Sequence, residues 1–441
     1  MSRTRLPLFV LSVSLIVAAS YLAANFFPQP ARLISLGLEA PVQRTLTAAE
    51  QVPFWTARVD RDPRDYISRA YLGYAYMLLA RESGDPTLYG QAETVLRQAL
   101  AINSDDETAL AFLAAAQLNQ HSFQEALESA RRVYAFDSGA LQALATIGDA
   151  SLELGDYQGA EEAYLELLDA NPSPPVYSRM ARLTWMQGRS EQAMDWMRRA
   201  AEEALALGQT GEGPAWYQFA VGDFYFDEGM LDEAEQYFEI SLSLFDGYYL
   251  ALAGLGEVAA ARGDYEAAIV HYEAALAASP QQPGFLSSLG YLYELTGRSE
   301  EAQELYDRSV AISTSSEFHR RIYNRELVNF FANSDIRLDE ALRLAEWEIS
   351  IRRDVHGYDA LAWALYKNGR HSDAGEAIEK ALALGTRDAN LYFHAGMIYA
   401  ALGENDRALA MLTEAFAINP YFDLYQASIG MQTLERLHSE G

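Results

Sequence analysis

Residues 250–280 read LALAGLGEVAAARGDYEAAIVHYEAALAASP, and this stretch decides the fold. Its first half sets Leu252, Leu255, Gly256 and Ala259 at intervals of one to four, its second half Ala268, Tyr272, Ala275 and Leu276. Such spacing gathers each set on one side of a helix. Between them lies Arg262-Gly263-Asp264-Tyr265. Gly263 can take the left-handed conformation that ends a helix, and Asp264 can cap the next one. Pro280 cannot continue a helix interior and closes the unit. The stretch therefore predicts two helices joined by a tight turn.

Working outward, its central alanine recurs at Ala92, Ala126, Ala160, Ala193, Ala234, Ala268, Ala302, Ala341, Ala374 and Ala408, with spacings of 34, 34, 33, 41, 34, 34, 39, 33 and 34. A period near 34 with helical patterning on both sides predicts an all-α solenoid of about ten helix–turn–helix repeats. Gly148, Gly222, Gly256, Gly290 and Gly396 stand twelve before the marker of their own repeats, where a small residue lets the first helix (A) approach the second (B). Tyr164, Phe238, Tyr272 and Tyr306 stand four after it and are expected to fill the gap toward the following repeat.

The frames Gly155-Asp156-Tyr157-Gln158-Gly159-Ala160, Gly263-Asp264-Tyr265-Glu266-Ala267-Ala268 and Gly297-Arg298-Ser299-Glu300-Glu301-Ala302, with the closing prolines Pro172, Pro280 and Pro420, resemble the tetratricopeptide repeat family over residues 64–420. That resemblance implies a right-handed superhelix whose A helices line a concave groove. It also implies a bacterial envelope type of protein, in view of the N-terminus. Arg3 and Arg5 precede an uncharged run from Leu6 to Phe27, long enough to cross a bilayer. Residues 1–27 are read as a hydrophobic signal-anchor helix or, alternatively, a cleaved signal peptide. Positive charge ahead of the run predicts repeats outside the cytoplasm, anchored in the inner membrane or, after cleavage, periplasmic or secreted.

Residues 28–63, broken by Pro28, Pro30, Pro41 and Pro53, read as a connector. Within it Ala48 to Val59 is expected to cap the first repeat, with Phe54, Trp55 and Val59 facing inward. Residues 421–441 read as a C-terminal cap, its helix running from Leu424 to Leu437. The spacing of 41 adds seven residues, about two helical turns. They are assigned to an extension from Arg198 to Leu207, ended by a flexible joint at residues 208–213. The eighth repeat, around Asn333 and Ile336, lacks the family glycines.

A net charge of −29 argues against nucleic acid, whose phosphates need a basic stripe. It fits a solubility role, a salty habitat or a basic partner. The absence of cysteine removes thiolate metal sites, thiol catalysis and disulfides. Gly254-Leu255-Gly256-Glu257-Val258-Ala259 matches a degenerate dinucleotide fingerprint but falls inside helix A, without the strand that fingerprint needs. Asp60, Asp62 and Asp65 lack the glycine and glutamate of a calcium loop and read as a surface turn. No two of His121, His271, His319, His356, His371, His394 and His438 form a zinc pair on one helix face. No catalytic constellation, metal site or cofactor site is assigned.

The candidate site is therefore positional. Registering each repeat on its alanine places Tyr74, Arg179, Arg182, Trp185, Trp216, Phe219, Asp223, Asp227, Glu257, Tyr291, Trp363, Tyr366, Phe393 and Met397 on or near the groove face. Aromatic residues recur as interface anchors. The Lys and Asn pattern with which members of the family grip a terminal carboxylate is absent, although Arg179 and Arg182 suit a carboxylate. The expected ligand is a protein or peptide segment of basic and aromatic character. The leading reading is a non-catalytic scaffold or assembly factor at the cell envelope. An accessory subunit of an envelope enzyme or polysaccharide assembly or export complex, and a carbohydrate-binding solenoid, are the alternatives.

Overall fold

Helices begin where a short polar side chain can hold the first free amides. Asp65, Asp106, Asp156, Asp264, Asp354 and Asp388 each accept a hydrogen bond from the backbone amide three residues on, satisfying donors that no helical carbonyl reaches. Asp65 and Asp62, which accepts from the Arg64 amide, are thereby accounted for as turn and cap residues. Within most repeats the turn passes through the left-handed region at the glycine five before the marker, as at Gly155, Gly263 and Gly297. In repeat 2 His121 adopts that conformation, its ring stacked on Phe123. Repeat 8 turns instead through Asp335 and Arg337, both at positive φ.

The computed structural model describes residues 46–423 and 425–440, and among them there are helices and no strand. Ten helical pairs follow the ten markers. Repeats 1 to 5 are Tyr66–Ser83 with Thr87–Ile102, Glu107–Asn119 with Phe123–Phe136, Leu141–Glu153 with Tyr157–Ala170, Pro174–Met186 with Ser190–Ala206, and Glu212–Asp227 with Leu231–Leu244. Repeats 6 to 10 are Tyr249–Ala261 with Tyr265–Ala278, Pro283–Leu295 with Ser299–Thr314, Asn324–Asn333 with Leu338–Ile351, Val355–Lys367 with His371–Leu382, and Ala389–Leu402 with Asn405–Ile418. A short helix, Glu317–Ile322, precedes repeat 8 and takes up its added residues. The proposed membrane-crossing run lies outside the described residues, and no described helix is long and apolar enough to cross a membrane.

The chain divides into two compact units, one ending at Arg179 and one beginning at Met180. In the first, helix Ala48–Arg61 lays Trp55 on Tyr71, ring centroids 5.1 Å apart. Phe54 is 44% exposed rather than inward-facing, because successive helical residues point about 100° apart. In the second, the seven added residues are shared out. Helix B of repeat 4 has 17 residues against 14 in repeats 5 and 6. Helix A of repeat 5 has 16 against 13 in repeat 6.

The second unit closes on itself. The Thr386 hydroxyl donates to the Met186 carbonyl, and Asn419 Nδ2 donates to the Phe226 carbonyl at 2.8 Å. Trp185 stacks on His356 at 5.7 Å. A Cβ on Gly188 would stand 2.2 Å from the Gly385 carbonyl oxygen, so only glycine permits this approach. Repeats 4 and 5 thus meet the ends of repeats 9 and 10.

Candidate functional site

The interior of each repeat is set by a ring placed on a glycine. A Cβ on Gly148 would meet the Tyr164 ring at 2.4 Å, on Gly222 the Phe238 ring at 2.7 Å, on Gly256 the Tyr272 ring at 2.8 Å and on Gly290 the Tyr306 ring at 2.6 Å. The aromatic four after the marker therefore packs first on its own repeat's glycine. Phe238 also covers Gly254 of the following repeat. The fingerprint-like glycines Gly254 and Gly256 are thus spent on Phe238 and Tyr272, inside helix Tyr249–Ala261.

One residue beyond the packing glycine, eleven before the marker, the inner wall carries Asp149, Asp223, Glu257, Tyr291 and Met397. In repeat 3 the carboxylate is fully engaged. Arg179 donates from Nε to Asp149 Oδ1 at 2.9 Å and from Nη2 to Oδ2 at 2.8 Å, and Tyr164 donates its hydroxyl to Oδ1 at 2.8 Å. Arg179 Nη1 donates to the Pro175 carbonyl at 2.8 Å. Arg179 is 0% and Asp149 1% exposed. A buried ion pair offsets its desolvation only with such geometry.

Repeat 6 keeps the tyrosine of this frame, lengthens the aspartate to a glutamate and replaces the arginine. Glu257 stands where Asp149 does and Tyr272 where Tyr164 does. Ser288 stands where Arg179 does, fourteen before the marker of the next repeat. Helices Pro174–Met186 and Pro283–Leu295 match residue for residue in that register. Oδ1 of Asp223 has no hydrogen-bond partner. Burial, then the charge of Glu257, pushes the Asp223 carboxyl well above the usual carboxylate range. The same two causes raise the Tyr272 phenol, against a hydrogen bond with Ser288 that lowers it. Two carboxyl groups in a low-dielectric wall share a proton or hold a cation.

The structure places the other wall residues mostly in the core. Trp216, Phe219, Tyr291, Trp363, Phe393, Met397 and Arg182 are buried. Phe219 stacks on Phe238, Trp363 on Tyr366 and His394, and Phe393 meets Phe422. Trp185 is taken by His356, and the carboxylate of Arg179 is its own chain's Asp149. The expectation that these side chains line an open face is corrected accordingly. The physical reason is that closure of residues 180–440 and aromatic stacking remove them from water. Tyr74, stacked on Phe112, together with Asp227 and Tyr366, is half-buried.

Sequence reasoning missed a polar network around repeats 8 to 10. Arg325 Nη2 donates to Asp354 at 3.0 Å and to Glu348 at 3.2 Å, and Asn324 donates to Glu348 at 2.8 Å. His394 Nδ1 lies 2.9 Å from Asp359 and His356 Nδ1 4.0 Å from Asp388. Burial lowers the His356 imidazole, against the charge of Asp354, with Arg325 also lowering it. Glu326 beside this network is pushed up to about 7, first by burial. Among the described residues no three His, Asp or Glu side chains form a metal-holding group.

A family model described as Tetratricopeptide repeat matches residues 145–208, 219–283 and 360–421, and a second of the same description matches 259–320. A TPR repeat-containing protein of Methanocaldococcus jannaschii is 21% identical over 318 residues, 67% of this chain and 55% of that protein. Human protein O-mannosyl-transferase TMTC3 is 26% identical over 184 residues, 38% of this chain and 20% of that protein. The chain thus spans about half the length of the first relative and a fifth of the second. Among solved structures, a chain of the APC/C hetero-tetramer Cut9–Hcn1 aligns over 88% of this chain and 82% of its own, at 17% identity and TM-score 0.39. PilW, described as a type IV pilus biogenesis factor, aligns over 49% and 98%, at 17% identity and TM-score 0.40.

Proposed function

The chain belongs to the tetratricopeptide repeat family, and from that premise we propose that it is a non-catalytic scaffold that works by holding a protein partner against its repeats. The observation that carries this reading is the use of the chain from Tyr66 to Ile418 by ten consecutive helical pairs. Such an array presents surface and little else. The half-buried wall residues, Tyr74 in the unit ending at Arg179 and, separately, Asp227 and Tyr366 in the unit beginning at Met180, are the contact positions of each unit in this reading. The acidity of the chain favours a basic partner. The basic flank and uncharged run from Leu6 to Phe27 favour attachment at a cell-envelope membrane.

Photo-crosslinking side chains placed singly at Tyr74 and Tyr366 test the contact surface, with Leu165 and Val270 on the exposed outer side as controls. The expected result is one discrete partner captured from the inner positions and not from the outer ones. Equal capture from all four would sink the inner-wall reading. Fractionation of cells carrying the full chain, and of cells carrying a chain without residues 6–27, tests the attachment. Only the first is expected in the membrane pellet.

A further inference from the structure

Resting on the envelope-membrane reading, we propose that the outward face of helix Ala48–Arg61 and of the turn after it docks on an anionic lipid surface, through Phe54, Ile67 and the guanidinium groups of Arg58, Arg61 and Arg64. The helix is two-sided. Val52 and Val59 join Trp55 against Leu72 and Ala75 of repeat 1, which fixes the inner flank. Phe54, Arg58 and Arg61 follow one another at spacings of four and three, and so form one stripe on the outer flank. Phe54 is 44% and Ile67 46% exposed. Arg58 Nε donates to the Ser68 hydroxyl oxygen at 3.1 Å, which brings the start of the next helix, with Ile67, against the end of the stripe.

Charge separates this end from the rest of the chain. Residues 1–69 hold eight arginines against five acidic residues, so residues 70–441 carry −32. Two acids of the turn are already engaged: Asp62 accepts from the Arg64 amide, and Asp65 from the Ser68 amide and hydroxyl. Arg61 and Arg64 are exposed, and among the described residues no ion pair holds them. Arg58 and Arg61 lie in the last helical turn, whose negative end fixes their place without cancelling their charge. An apolar ring among guanidinium groups suits a lipid interface, where the ring enters the acyl boundary and the arginines stay with the phosphates. An anionic surface attracts this end and repels the acidic remainder. Position in the chain favours lipid over an acidic protein. Residues 28–45, eighteen in number, separate the uncharged run Leu6–Phe27 from Leu46, and reach at most about 65 Å fully extended. An anchored run therefore holds this face at high local concentration beside the bilayer.

The natural lack of cysteine allows a single reporter in the full chain. Ala57→Cys, exposed on this face, carries an environment-sensitive fluorophore, and Val270→Cys is the exposed reference. Each chain is reconstituted with vesicles of phosphatidylcholine alone, or of phosphatidylcholine and phosphatidylglycerol in equal parts, and separated by flotation. The chain should float with both. Iodide quenching at position 57 should fall about threefold on the anionic vesicles only, with no change at position 270. Phe54→Ser/Arg61→Gln/Arg64→Gln should restore the quenching, and Arg61→Lys/Arg64→Lys should keep it low. Should the triple variant lower Tm, Arg61→Gln/Arg64→Gln decides alone. A chain that floats while position 57 stays open to iodide overturns the docking and spares the anchor. Flotation on anionic vesicles only, lost in the triple variant, overturns the anchor and supports the docking. Equal shielding on neutral vesicles or in the triple variant overturns the docking. Shielding without vesicles that grows with protein concentration also overturns it, and assigns the face to a second copy of the chain.

Discussion

Repeat 3 and repeat 6 share a backbone plan and differ in how they settle one buried carboxylate. Asp149 is held by Arg179 and Tyr164 inside the unit that ends at Arg179. Glu257 sits beside a second acid, Asp223, with Ser288 where the arginine would be. The packing of the two frames is otherwise alike: each lays a tyrosine ring on a glycine. The comparison teaches that helical packing and wall chemistry are specified by separate register positions. One can change while the other stays fixed.

The largest expected effect breaks the complete frame. Arg179→Met leaves Asp149 buried without its paired guanidinium, and a cost of about 3–5 kcal/mol is expected in urea unfolding. Adding Asp149→Asn should recover part of that loss, because an amide needs no counter-charge. Full additivity of the two losses would contradict the pairing. Next comes the packing that both frames share. Gly148→Ala and Gly256→Ala each drive a Cβ into a tyrosine ring, and each should lose about 1–3 kcal/mol. A neutral result in either would show that its ring is free to move.

A pH series sharpens the chemical difference. Asp223 and Glu326 are both raised in the folded chain, Glu326 from 4.5 to about 7, each chiefly by burial. A raised folded value means that the folded state binds more protons than the unfolded state. The contribution of Glu326 is therefore fully present below 4.5 and is lost as pH climbs through about 7, and that of Asp223 is lost in the same direction as pH rises. Tm should fall between pH 5 and 8, and Glu326→Gln or Asp223→Asn should flatten the fall. A profile equally steep in both variants would count against burial as the cause. The smallest effect is at the turns. Gly155→Ala and Gly263→Ala occupy equivalent left-handed positions and should cost about 1–2 kcal/mol alike. Gly284→Ala, with no positive φ and nothing close to its Cβ, should be neutral or slightly stabilising.

What was legible in the sequence follows from this division. The marker alanines, the turn glycines and the ring-on-glycine pairs are local, so residues 250–280 alone disclosed the repeat. The inner wall was legible as a register but not as an environment. Trp185, Trp363 and Phe393 do stand at wall positions. Their burial depends on His356, His394 and Phe422; His394 and Phe422 come from the next element along, whereas His356 reaches Trp185 only through the curvature of many repeats. Helical periodicity carries no information about that curvature. The pairing of Asp149 with Arg179 left a readable trace, an acid at one wall position and an arginine thirty residues on. That trace lies across two neighbouring repeats, so the pattern within any single repeat does not show it.

Closure of residues 180–440 decides whether the wall is core or groove, and the natural lack of cysteine makes it directly measurable. Thr386→Cys places one thiol of nearly the same size at the seam, where Thr386 meets the Met186 carbonyl. Val270→Cys supplies an exposed reference. With the seam closed, maleimide should label the Val270→Cys thiol promptly and the Thr386→Cys thiol only after urea is added. Equal labelling rates in the native protein would contradict closure and return the inner aromatics to an open groove.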